Sequence, residues 1–225
     1  VSNRKLITIG LIAVACLGLA VIGRLLLSNG NARNSTDAPS EMVAALQTHF
    51  PDDWKAMQQQ RQQASGNDAA IGAAFMNDKV ADVARAPDSA ILAIIAAETA
   101  LAKQLQHDDP AACANYILAG PTDTHRYSQP AQVLLDRAAA QTVIAARQGI
   151  DAPKPRTVNQ PAAIDRLQFA MRDQGVPSRL IDPDPARPLT ADEQCQYGVH
   201  LYETLGTLPP AQAADIFVNL KFAQP

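Results

Sequence analysis

Aromatic side chains are scarce in this chain of 225 residues, which has one Trp, four Tyr and five Phe. Stacking platforms for bases or sugars need several rings on one surface, and the composition argues against that mode of recognition. A basic excess is lacking too. Lys and Arg total 19 against 22 Asp and Glu, so no cluster exists to release phosphate counterions or to hold anionic headgroups. The composition argues against a nucleic-acid partner. The eleven glycines are scattered, so there is no phosphate-cradling loop. Neither the G-x-S-x-G elbow nor the H-E-x-x-H pair occurs, and with them go the commonest serine-hydrolase and zinc-peptidase signatures. No cofactor is implied.

Acidic charge is absent from the first 27 residues, and there the absence points to a compartment. Leu6 to Leu27 is a run of 22 residues with Arg24 as its one charged side chain. A helix of that length spans ~33 Å at ~1.5 Å per residue, enough to cross a hydrocarbon core of ~30 Å. Arg24 sits one turn from the end, where a long side chain reaches the interface. Arg4 and Lys5 precede the run, as in the cytoplasmic end of a signal-anchor. A cleaved signal peptide or acylation at Cys16 are rival readings. The apolar run continues past Cys16, where a polar tether would be expected. The expectation is a single-pass protein of a bacterial inner membrane, contacting the bilayer through residues 6–27. The carboxyl-terminal part then lies in the periplasm.

Residues 1–27 carry +3 of a total charge of −3, which leaves −6 for the remainder. Residues 28–39 are small and polar and read as a flexible tether. Residues 40–225 read as an all-α domain, an irregular helical bundle with a possible subdomain boundary near 150–160. Ser40 is positioned to cap a helix that breaks at Phe50-Pro51. Ala90 to Leu105 is apolar most of the way round, which predicts the buried central helix. Glu98 inside it is expected to face outward or to pair with Lys103 or Arg137.

Pro110, Pro130, Pro161 and Pro210 each open an Ala-rich run, and proline is favoured in the first turn because its missing N–H needs no partner there. Gly120, Gly149 and Gly175 follow such runs as left-handed caps. Thr190 to Glu193 is a capping box. Two segments resist helix, Ile150 to Gln160 and Val176 to Pro188, because proline recurs in both. The second is long for a plain connection, so it packs across the domain or forms a binding lip.

Cys113 and Cys195 are the pair left once Cys16 is assigned to the membrane run. In an oxidising compartment an even pair bonds. A closed loop of 82 positions corresponds to about 4.5 kcal/mol of chain entropy.

Candidates for chemistry are thin. His107-Asp108, with His49 upstream and Asp165 or Asp173 downstream, imitates the ligand order of HD-type metal phosphohydrolases. The Asp108-Asp109-Pro110 context reads better as a helix end and a cap. His200 and Glu203 lie three apart on one helix face, but a catalytic zinc needs three protein ligands. His125, Arg126 and Tyr127 occupy a polar connection and form a candidate binding loop. The expectation is therefore a non-enzymatic module that binds another envelope protein, as an inhibitor, an immunity partner or an assembly factor. The alternative is a metal-assisted hydrolase of envelope material built on His107, Asp108, His200 and Glu203.

Overall fold

The computed structural model describes residues 40–63, 68–121 and 124–222. The apolar run at 6–27 and the tether lie outside the described residues. Among the described residues no helix is long and apolar enough to cross a membrane. The described chain is all-helical, without strands. In order, the helices are α1 (Glu41–His49), α2 (Pro51–Gln63), α3 (Asp68–Ala84), α4 (Asp88–Asp108) and α5 (Pro110–Ala119). After the 3-10 turn Thr124–Arg126 come α6 (Gln129–Asp151), α7 (Gln160–Asp173), α8 (Ser178–Ile181), α9 (Ala191–Thr207) and α10 (Pro210–Lys221).

The start signals read from the sequence operate as written. Pro110, Pro130, Pro161 and Pro210 all stand in the first turn of a helix. Ser40 accepts from Val43 N, and Thr190 and Glu193 form the reciprocal capping box. Gly120 and Gly175 adopt φ of 71° and 77°, the left-handed region that glycine enters without a Cβ penalty.

Gly149 is different. It lies inside α6, which runs on to Asp151. A Cβ there would stand 1.9 Å from the carbonyl oxygen of Asp82, so this glycine exists to let α3 and α6 touch backbone to backbone.

α4 is the central element, as its apolar girth requires. Ile91, Ile94, Ile95, Leu101 and Leu105 are all buried, each contributing ~1.5–3 kcal/mol by removal from water. One side of α4 packs on α6, whose other faces carry α1 and α3. The opposite side meets α5, α9 and α10, with α7 packed outside α9 and α10.

Between α6 and α7 the chain is extended over residues 152–159. It is pinned along its length: Lys154 N donates to Arg85 O at 2.7 Å, and Arg156 reaches Ala86 O at 2.7 Å and Asp88 at 2.9 Å. Buried Asn219 accepts from Asn159 N at 2.6 Å and donates to Thr157 O at 3.2 Å. Residues before and after this segment belong to one hydrophobic core.

Candidate functional site

α5 and α9 approach unusually closely, and two features of the sequence cause it. Cys113 and Cys195 are bonded, with Cα atoms 5.3 Å apart. One turn further along each helix, Ile117 lies over Gly198, where a Cβ would meet its Cδ1 and Cγ1 at 2.4 Å. Any larger residue at 198 would drive the helices apart, since carbon atoms in contact rest ~3.5–4.0 Å from one another.

This junction is the floor of a cleft of about 410 Å³, within the ~300–1,000 Å³ range of ligand sites. One wall is a stripe on α9 formed by Gln194, Tyr197, Gly198 and Leu201, at the i, i+3, i+4, i+7 spacing of a helix face. Phe217, Leu220 and Lys221 of α10 form another. Leu118, 38% exposed, marks the rim.

The remaining wall is the proline-rich stretch after α7, which contributes Leu180, Ile181, Pro183, Asp184, Pro185 and Pro188. It is a lip over a cleft, one of the two expectations for it. Its predicted resistance to helix is wrong over four residues: Ser178–Ile181 make one helical turn behind Pro177. Proline blocks helix on its N-terminal side and favours it on the next.

Arg179 holds this stretch, residues 182–189, in place as a strap along the cleft. Its guanidinium donates to Glu193 at 2.6 and 2.9 Å, to Arg187 O at 3.2 Å and to Pro188 O at 3.4 Å. One planar fork thus ties α8, the end of the strap and the first turn of α9. The Arg179 hydrogen bonds, with the Thr190 N–H, hold the Glu193 carboxyl down at about 2.

A polar relay runs inward from Tyr202, which lines the cleft. Tyr116 donates to Glu98, and Tyr202 donates to the same oxygen at 3.2 Å. The Lys221 ammonium stands 5.6 Å above the Tyr202 ring. Glu98 therefore neither faces out nor pairs with the expected bases. Lys103 bonds Glu203 at 2.7 Å and Arg137 bonds Glu41 at 3.0 Å. The buried tyrosines of α5 and α9 supply donors closer to Glu98 than either cation.

Burial raises the Tyr116 and Tyr202 hydroxyls, and the charge of Glu98 raises them further. Burial alone would lower Lys221, but Tyr202 and Glu98 outweigh it, and the ammonium is held above its ordinary range. Desolvation lifts Tyr197 to about 12. The cleft thus presents largely apolar walls with neutral tyrosines, one cation at Lys221, and the carboxylate of Asp184 and the amide of Gln194 on the side of the proline-rich stretch.

The other candidates fall elsewhere. His125 belongs to the 3-10 turn Thr124–Arg126. Arg126 is exposed, while Tyr127 is 6% exposed and joins the core, its carbonyl accepting from Gln132 at 2.9 Å. His107 is an exposed partner of Asp108 at 3.1 Å. Asp108 also accepts from Ser128, the cap of α6, and from Gln104 at 2.9 Å, and these bonds hold its carboxyl below the usual range. It ties the end of α4 to the start of α6.

His200 stands 3.6 Å from Glu203. Among the described residues no three His, Cys, Asp or Glu side chains converge as a metal site. Compared with known proteins, the chain matches no family model, no curated protein and no solved structure to a significant degree.

Proposed function

We propose that this protein is a non-enzymatic binding module. It is held to the inner membrane by residues 6–27, with its helical domain in the periplasm, and it takes an apolar segment of another envelope protein into the cleft between α5, α9, α10 and the strap. An inhibitor, an immunity partner or an assembly factor would act in this way. The cleft carries the reading.

Its floor is stapled by a covalent bond and its roof is held by Arg179. A site ordered beforehand loses less entropy when it is filled. The apolar Leu118 rim extends the contact surface beyond the cavity.

Site-specific photo-crosslinking in cells tests the reading. A photoreactive residue at Leu201, in the cleft, is expected to yield one discrete adduct. The same residue at Val133, exposed on α6, is expected to yield none. Equal labelling from both positions, or none from Leu201, refutes it. A reporter fused after residue 225 should be active only outside the cytoplasm.

A further inference from the structure

The cleft is chemically lopsided. Its walls are mostly aliphatic, proline and tyrosine, with Asp184 and Gln194 on the proline-rich side and its cation, Lys221, across from them at the end of α10. Among the described residues Lys221 makes no ion pair of its own, and Glu98, whose charge acts on it, accepts a hydrogen bond from Tyr202. A lysine ammonium has three N–H donors. The ammonium lies 5.6 Å from the centre of the Tyr202 ring, and its N–H donors can serve an anion in the cleft.

A mid-chain peptide segment would carry amides through the apolar trough in both directions, each needing a hydrogen-bond partner. A chain end brings only one or two amides, and it supplies a carboxylate. Gln194 and Asp184, in the same lining, offer acceptors for those amides. A purely aliphatic acid would leave them unused.

Resting on the cleft reading above, we propose that the occupant is the carboxyl-terminal end of a polypeptide. Its last two or three large apolar residues fill the trough, and its terminal carboxylate bonds to Lys221. The specificity is for an apolar body that finishes in a carboxylate.

The test uses the full chain in lipid nanodiscs and a fluorescent hexapeptide, Gly-Ser-Gly-Leu-Leu-Phe, as the free acid and as the terminal amide, with laurate as a third probe. A charge-assisted hydrogen bond should make the acid bind about tenfold to a hundredfold more tightly than the amide. That ratio should fall to about one in Lys221→Met and persist in Lys221→Arg. A lysine that merely neutralises Glu98 would leave the ratio near one in the wild type.

Equal binding of acid and amide overturns the chain-end inference and leaves the cleft reading standing. Binding of laurate with neither peptide bound overturns both, in favour of a free fatty acid. Failure of all three probes also overturns both. The wild-type ratio decides even if Lys221→Met does not fold.

Discussion

Gly198→Ala tests the closest contact behind the cleft. The new methyl would lie 2.4 Å from two carbons of Ile117 and 2.7 Å from a third, so the helices must part by about 1 Å to restore contact distances. They cannot hinge apart freely, because the Cys113–Cys195 bond holds them one turn away. Overpacking of this kind costs about 1–3 kcal/mol, and three simultaneous clashes place it near 3. Alanine returns ~0.8–1.0 kcal/mol of helix propensity. The net loss is about 2 kcal/mol, or ~4–8 °C in melting temperature for a domain of this size.

Gly206 is the internal control. It sits in the same helix with nothing within 4 Å of a Cβ, so Gly206→Ala should gain up to ~1 kcal/mol and melt ~2–4 °C higher. Thermal melts by circular dichroism measure both. Ile117→Ala combined with Gly198→Ala should cost ~1–3 kcal/mol less than the sum of the two changes. If Gly198→Ala melts at or above wild type, the close approach of α5 and α9 is wrong.

Gly149→Ala should be worse than Gly198→Ala, because its obstacle is the backbone of Asp82; a loss of more than ~3 kcal/mol is expected in the same melts. Cys113→Ala with Cys195→Ala should cost about 2–4.5 kcal/mol, and reduction of the wild type should reproduce the shift; thiol alkylation without reduction should label neither residue. Arg156→Met leaves Asp88 with Lys154 alone and should cost near the lower end of ~3–5 kcal/mol, read by denaturant unfolding.

Glu193 predicts an acid window. Its carboxyl is held at about 2 against an ordinary 4.5, so its contribution is fully present above ~4.5 and lost as the pH falls toward 2. The protection of the strap amides relative to their intrinsic exchange rates, at Asp182 and Arg187 above all, should fall over that window, and Glu193→Gln should show the lowered protection already at neutral pH.

The helical architecture was legible because its signals are local. Pro110, Pro130, Pro161 and Pro210 act through a missing N–H, and Ser40 and Thr190 through side chains that reach no further than three residues. Gly149 was misread for the reason that exposes the limit. A glycine that caps a helix and one that admits a neighbouring helix look alike in one dimension, and only the position of Asp82 separates them. Glu98 failed similarly, since its partners Tyr116 and Tyr202 lie 18 and 104 positions away. The apolar stripe from Tyr197 to Leu201 was visible in principle at helical spacing. That it lines an open cleft was not, because spacing does not say which faces find a neighbour.

By itself the amino-acid order determined where helices begin, which of them is buried most deeply, and that Cys113 and Cys195 were the pair to join. These follow from backbone hydrogen bonding, apolar content and the counting of thiols. The tertiary structure alone decided that the strap roofs a cavity, that Arg179 clasps it, and that Lys221 stands beside Tyr202 and Glu98. Each depends on distances between residues far apart along the chain, and such distances are settled by how helices pack.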